Sequence, residues 1–144
     1  MKISVRSRYG IKAMVDLAIN GTTGPVPLKQ IAERQGISER YLERVFSLLK
    51  KSGLVDSIKG PQGGYELSFE PKKITMKKLL ETLEGNLSFS EDQDNEDILD
   101  ECIIELLWTK VDESIMQVIQ ELTLLDMVED YKKKTDSSKY MYYI

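Results

Sequence analysis

Leu28–Tyr65, LKQIAERQGISERYLERVFSLLKKSGLVDSIKGPQGGY, is the stretch on which the fold turns. It reads as a helix, a tight turn, a second helix and two short strands joined by a glycine-rich loop. That order is a helix-turn-helix followed by a wing. Ser38 is a good N-cap for the second helix, and Ile37 before it can staple to Leu42, four positions into that helix. Leu42, Val45, Phe46 and Leu49 then recur at i, i+3, i+4 and i+7, which is one buried face. Arg40, Glu43, Arg44 and Ser47 follow the same spacing on the opposite face. A helix with a core stripe behind and hydrogen-bonding side chains in front suits the major groove of duplex DNA. Gly53 stands where a C′ glycine ends such a helix, with Leu54 placed to cover the last turn.

Upstream, a helix is predicted from about Ser7 to Asn20, with Ile11, Met14, Val15 and Ala18 as its core face. Gly21 and Gly24-Pro25 end it. Pro27 falls near the start of the next helix, where a missing N–H costs little. Leu28, Ile31 and Ala32 form the buried face there, and Gly36 makes the turn. Downstream, Tyr65, Leu67 and Phe69 alternate with Glu66 and Ser68, the period of a half-buried strand, and Leu54–Ile58 is its antiparallel partner. A helix after Thr75 turns Met76, Leu79, Leu80 and Leu83 inward and stops at Gly85. The segment 86–97, NLSFSEDQDNED, holds five acids and no base and reads as a solvated loop.

The longest helix follows. Ile104, Trp108, Val111, Ile115, Val118 and Leu122 are spaced 4, 3, 4, 3, 4, the alternation of a helix seam. A second copy of the chain is the economical cover for this stripe, and burial against its own domain is the alternative. Thr123 and Asp126 have capping-box spacing and start a short helix with Leu124, Leu125 and Val128 on its face. Polar KKKTDSSK and the ending YMYYI come after it. The expected architecture is mainly α with a small β-wing: a winged helix-turn-helix domain plus a long C-terminal dimerisation helix. Its parts are 1–85 (DNA-binding domain), 86–97 (acidic loop), 98–134 (dimerisation and effector helices) and 135–144 (tail).

The 144 residues carry a formal net charge of −4, which is unusual for a DNA binder until it is divided. Residues 1–85 hold 15 Lys/Arg against 9 Asp/Glu, a net of +6, and residues 86–144 hold 5 against 15, a net of −10. One part is suited to phosphate and the other is not. No apolar run approaches the ~20 residues of a membrane helix. MKISVRSRYG lacks the apolar stretch of a signal peptide, and a single cysteine builds no internal disulfide, so the expected compartment is the cytoplasm. Histidine is absent, which removes the commonest general base and zinc ligand. The GPQGG loop precedes a strand rather than a helix, so it is no phosphate loop. The chain is not expected to be an enzyme.

Arg40, near the start of the second helix, can pair bidentately with guanine, and Glu43 can accept from cytosine N4 or simply belong to the surface charge. Ser38 and Tyr41 can donate to phosphate or base. Lys59, opening the wing loop, can reach the minor groove, with glycines letting the backbone approach. Arg6, Arg8, Lys50 and Lys51 are candidate phosphate contacts.

RYGIKAMVDLA, the helix-turn-helix segment, KGPQGGYEL and the later TLLDMV together resemble the Rrf-two family of bacterial winged-helix regulators, over nearly the whole chain. The resemblance implies a homodimer joined by the long helix on an operator of dyad symmetry. The candidate DNA face is then Arg6, Arg8, Tyr9, Ser38, Arg40, Tyr41, Glu43, Arg44, Lys50, Lys59, Gly63, Gly64 and Tyr65. Many members have arginine where Lys59 stands, which implies a different wing grip. The dimerisation set is Ile104, Trp108, Val111, Ile115, Val118 and Leu122.

Several members sense iron, nitric oxide or redox state through a two-iron two-sulfur cluster on three cysteines and often a histidine. By resemblance the third cysteine is Cys102, the histidine position is Glu105, and the other cysteines fall near Ser90 and Glu96. The expectation is no cluster and no other cofactor. Cys102 is read as a buried small side chain, with a redox-sensitive thiol as the alternative. MKIS and the terminal YMYYI are similar to the cluster-free cysteine-metabolism repressors of the family. That likeness implies repression of sulfur genes and a complex with cysteine synthase, whose substrate site takes a terminal isoleucine carboxylate from another enzyme. Tyr142, Tyr143 and Ile144 could enter it likewise, or pack on their own dimer. The rival readings are a redox, iron or small-ligand sensor of the same family with a different regulon, and a protein-interaction module without DNA binding.

Overall fold

The computed structural model describes residues 2–142, with side chains described as far as residue 136. Helix α1 (Val5–Asn20) is capped by Ser4, whose hydroxyl accepts from the Ser7 N–H. Helices α2 (Leu28–Gln35) and α3 (Glu39–Lys51) form the helix-turn-helix. Gly36 sits in the left-handed region at φ 64° and the Ile37 N–H returns to the Ala32 carbonyl at 3.0 Å, which turns the chain within two residues. Ser38 caps α3 as expected, accepting from the Tyr41 N–H. At its far end the Gly53 N–H donates to Lys50 O and the Leu54 N–H to Leu49 O, both at 3.0 Å, a Schellman closure around the predicted glycine.

Strands β1 (Val55–Ile58) and β2 (Gly64–Leu67) pair antiparallel, with Val55 opposite Leu67 and Ile58 opposite Gly64. Val26 adds a bridge to Tyr65, exchanging two hydrogen bonds of 2.9 Å and fastening the wing to the segment before α2. β2 ends two residues before Phe69, which is 54 % exposed and not on the strand's inner face as the alternation implied. A 3-10 turn (Pro71–Lys73) leads to α4 (Met76–Glu84), capped by Thr75 and ended at Gly85. The core is built from Ala13, Met14, Leu17, Ile31, Leu42, Val45, Phe46, Leu49, Leu79 and Leu83, each at most 1 % exposed. The α1 face therefore differs from the one expected. Ala13 and Leu17 turn inward, while Ile11 and Val15 are half-buried, because α1 is packed on two sides rather than one.

That second side is covered by α7 (Leu124–Tyr142). The Thr123 capping box forms: Thr123 N donates to Asp126 Oδ2 at 2.8 Å and Asp126 N to Thr123 Oγ1 at 3.3 Å. The helix is not short. It carries on through KKKTDSSK, where neither glycine nor proline stops it and Lys134 pairs with Asp130 one turn back. Tyr142 is the last helical residue, and Tyr143 and Ile144 lie outside the described residues.

The long helix consists of α5 (Ile98–Ile103), a π-helical turn (Ile104–Trp108) and α6 (Thr109–Glu121). Its expected seam does not present one free face. Ile115 and Leu122 pack on the chain's own core, Val118 is 61 % exposed, and Ile104, Trp108 and Val111 are half-buried. Ile115, Val118 and Leu122 all follow the π turn, and the departure there is set by which side of α6 the winged domain covers. At the α6–α7 junction, Met76 N donates to Leu122 O and Leu124 N to Ile74 O, both at 2.8 Å. Ile119, Leu124 and Val128 thereby join the core of the winged domain.

Candidate nucleic-acid interface

Leu42, Val45, Phe46 and Leu49 anchor the rear of α3, each worth about 1.5–3 kcal/mol of burial. This anchoring leaves Arg40, Glu43, Arg44 and Ser47 exposed along the front, as their spacing implied. Ser38 is exposed at the amino end with its hydroxyl engaged as the cap. Tyr41 is half-buried, and its ring meets that of Tyr9 edge-to-face, centroids 5.8 Å apart, so α1 buttresses the first turn of α3. Arg6 donates from Nε to the Leu83 carbonyl at 2.7 Å, which holds it beside a shallow hollow lined by Tyr41, Arg44 and Leu48. Arg8 and Lys51 are exposed without ion pairs among the described residues.

Lys50 is placed differently. Its Nζ donates to Ser57 Oγ at 2.6 Å, tying the end of α3 to the wing. Lys59 is exposed at the start of the wing loop, whose turn closes with Gly63 N–H donating to Gly60 O at 3.0 Å. Gly63 and Gly64 shape the hairpin: a Cβ at Gly63 would collide with the Ile58 carbonyl, and one at Gly64 with the Val26 carbonyl. Tyr65 turns its ring onto Phe46 at 4.8 Å and supports the wing from beneath. The candidate set thus separates into exposed side chains and the residues that hold them.

Three buried or half-buried carboxylates join the elements of the chain, two of them behind this face, and residue spacing did not reveal them. Asp16, with its side chain 1 % exposed, accepts from Arg34 Nη2 at 2.7 Å, Arg34 Nε at 3.0 Å and Gln35 Nε2 at 2.8 Å, locking α1 to the last turn of α2. The hydrogen bond to Asp16 holds the Arg34 pKa above its ordinary value. Glu84 accepts from the Ser7 and Ser4 hydroxyls and from the Ser4 N–H, and these bonds hold its pKa low. It ties α4 to the start of α1, next to Arg6. An acid at position 16, inside an apolar stripe, was the one available sequence signal.

The third carboxylate is Asp112. It accepts from Phe89 N at 2.7 Å, Ser90 N at 3.0 Å, Ser90 Oγ at 2.6 Å and Ser88 Oγ at 2.8 Å. Burial raises its pKa, and the hydrogen bonds outweigh that to bring it to about 2. Phe89 also stacks on Trp108 at 6.0 Å and 12°, so the first part of the acidic loop is pinned to the long helix. Ser90, at the place of a cluster cysteine, is committed to this latch, and the Glu96 N–H is bound to Asp100. Cys102 is exposed and not buried as expected. One thiol, two carboxylates and a serine already engaged do not fit a thiolate-held iron-sulfur cluster.

A winged helix-turn-helix with this long helix agrees with the family model that matches residues 3–130, described as Rrf2: Iron-dependent Transcriptional regulator. The chain belongs to the Rrf2 family. HTH-type transcriptional regulator IscR of Klebsiella pneumoniae (strain 342) is 36% identical over 132 residues, spanning 90% of this chain and 81% of that protein. Two solved structures are similar. CymR (YrzC), the global cysteine regulator of B. subtilis, superposes with a TM-score of 0.80 at 38% identity, over 90% of this chain and 97% of that one. T. potens IscR gives 0.78 at 43% identity, over 99% and 97%. As an Rrf2 protein the chain is a DNA-binding transcriptional regulator and not an enzyme. Among the described residues no helix is long and apolar enough to cross a membrane.

Proposed function

We propose that this Rrf2 protein is a cluster-free homodimeric cytoplasmic repressor that reads an operator of dyad symmetry and controls cysteine and sulfur genes. The observation that carries the reading is α3, buried to 1 % or less at all four rear positions and exposed at Arg40, Glu43, Arg44 and Ser47 in front. Dimerisation is supported by apolar side chains left in solvent on the long helix, with Leu99 68 %, Leu106 70 % and Val118 61 % exposed. Competition electrophoresis at two salt concentrations tests it. Specific binding should weaken by about 10³-fold over a fourfold rise in salt if six phosphates are neutralised. Binding that is indifferent to salt and sequence would leave only an interaction module.

The likeness to IscR proteins favours a second reading, a regulator of the same fold with a different regulon. Genome-wide mapping of bound sites with and without cysteine starvation separates the two. Protein purified without oxygen should be colourless, and visible absorbance would defeat the cluster-free reading. The cysteine synthase partnership rests on the resemblance of the tail. Deleting Tyr142 to Ile144 should abolish capture of the synthase in a pull-down, and unchanged capture ends that idea.

A further inference from the structure

A cavity of about 570 Å³ lies away from the DNA face, between α1, the end of α2 and α7. Its size falls in the range of small-molecule sites. One wall is the half-buried stripe Ile11, Val15 and Ile19 of α1, and Met127 and Tyr131 of α7 form another. The polar lining is Lys12, Asp16 and Asn20, one residue on from that stripe along α1, with Arg34 and Gln35 of α2. Asp16 is fully engaged with Arg34, Gln35 and Asn20, so its charge is matched by Arg34. Lys12 is exposed and makes no ion pair among the described residues. The lining therefore carries one surplus positive charge beside an apolar trough.

We infer that this cavity is an effector site for a small apolar monocarboxylate, its hydrocarbon on Ile11, Val15 and Met127 and its carboxylate between Lys12 and Arg34. The site's effect on DNA rests on the reading of α3 given above. Arg34 stands in the last turn of α2, two residues before the Gly36 turn into α3, and its bond to Asp16 sets how α2 lies on α1. A carboxylate that draws Arg34 from Asp16 loosens that clamp, and α7, the opposite wall, descends directly from the long helix. Occupancy should weaken operator binding, and operator binding should weaken occupancy by the same factor.

The test uses the full chain, with hexanoate and 3-phenylpropionate as probes, each beside its neutral amide. Amide chemical shifts should move at Ile11, Val15, Ile19 and Met127 with the acids, and the neutral amides should bind about tenfold more weakly. K12Q should reduce acid binding to the level of the amide, and V15W should abolish it by filling the trough. K12Q alters an exposed side chain, so it decides the matter should V15W not fold. Absence of shifts at these residues with both acids, equal binding of acid and amide, or acid binding undiminished in K12Q overturns the site. Fluorescence anisotropy on operator DNA should show the acids raising Kd for the wild type and not for K12Q. Binding in the cavity with Kd unchanged overturns the coupling. If the unliganded protein binds no duplex at all, the DNA-reading proposal fails instead, and the shift experiment still judges the cavity.

Discussion

Along α3 every rear-face apolar side chain is at most 1 % exposed, whereas on α6 only Ile119 is buried and, in α5 before the π turn, Ile98 and Leu99 are 78 % and 68 % exposed. The two regions have comparably apolar sequences. The winged domain closes its core mainly from α1, α2, α3, α4 and the start of α7. The long helix touches that core only near its carboxyl end, through Ile115, Met116, Ile119 and Leu122. A second helix of the same kind would complete it. The reader is thus finished within one chain, and the long helix is not.

The sharpest way to break this contrast is Asp16→Ala. It leaves Arg34 without its carboxylate; that guanidinium is 37 % exposed and can turn to water, so the cost is that of the lost charge-assisted hydrogen bonding, about 1.5–3 kcal/mol. A large fall in melting temperature with loss of DNA binding is expected, and an unchanged melting curve would show that the reader does not depend on the clamp. The complementary substitution, Leu106→Asp with Val118→Asp, at side chains 70 % and 61 % exposed, should leave the winged domain folded. Light scattering should report a monomer, and operator affinity should fall by about 10²-fold as the second half-site is lost. Arg40→Ala acts only at the DNA face. It should reduce discrimination between operator and mismatched DNA by about 1–3 kcal/mol while general affinity changes less, and equal losses would count against base reading.

The smallest effect concerns the loop between the two regions. Asp112 titrates at about 2 in the folded chain against an ordinary 3.8, so its stabilisation is complete above pH 3.8 and disappears as pH falls toward 2. Trp108, the single tryptophan, stacks on the pinned Phe89 and reports this release by fluorescence. A step in emission over that interval is expected in the wild type, and Asp112→Asn should lack it.

How far these features could be read in advance follows from the range of the interactions. The helix-turn-helix, the caps at Ser38 and Thr123, the Gly53 closure and the wing were all legible, because each depends on side chains and backbone close to one another in the chain. So was the exposed row Arg40, Glu43, Arg44 and Ser47, fixed by the 3.6-residue repeat. The inward face of α1 was misread because α7, over a hundred residues later, covers a second side of it. Phe69 was misread because the strand stops at Leu67, and the length of α7 because its polar face suggested a tail. The seam was straightforward on paper, but in space Ile115 and Leu122 are taken by the winged domain's core while Val118 is left exposed.

By itself the sequence determined a winged reader with a long apolar helix and a single thiol, since composition and local periodicity suffice for those. Only the tertiary structure decided which carboxylates lock the reader, Asp16 and Glu84, that Asp112 pins the acidic loop to the long helix, and which apolar side chains remain uncovered. All are matters of long-range contact. A buried charge needs a partner from another element, and a helix face is core or surface according to what arrives to cover it.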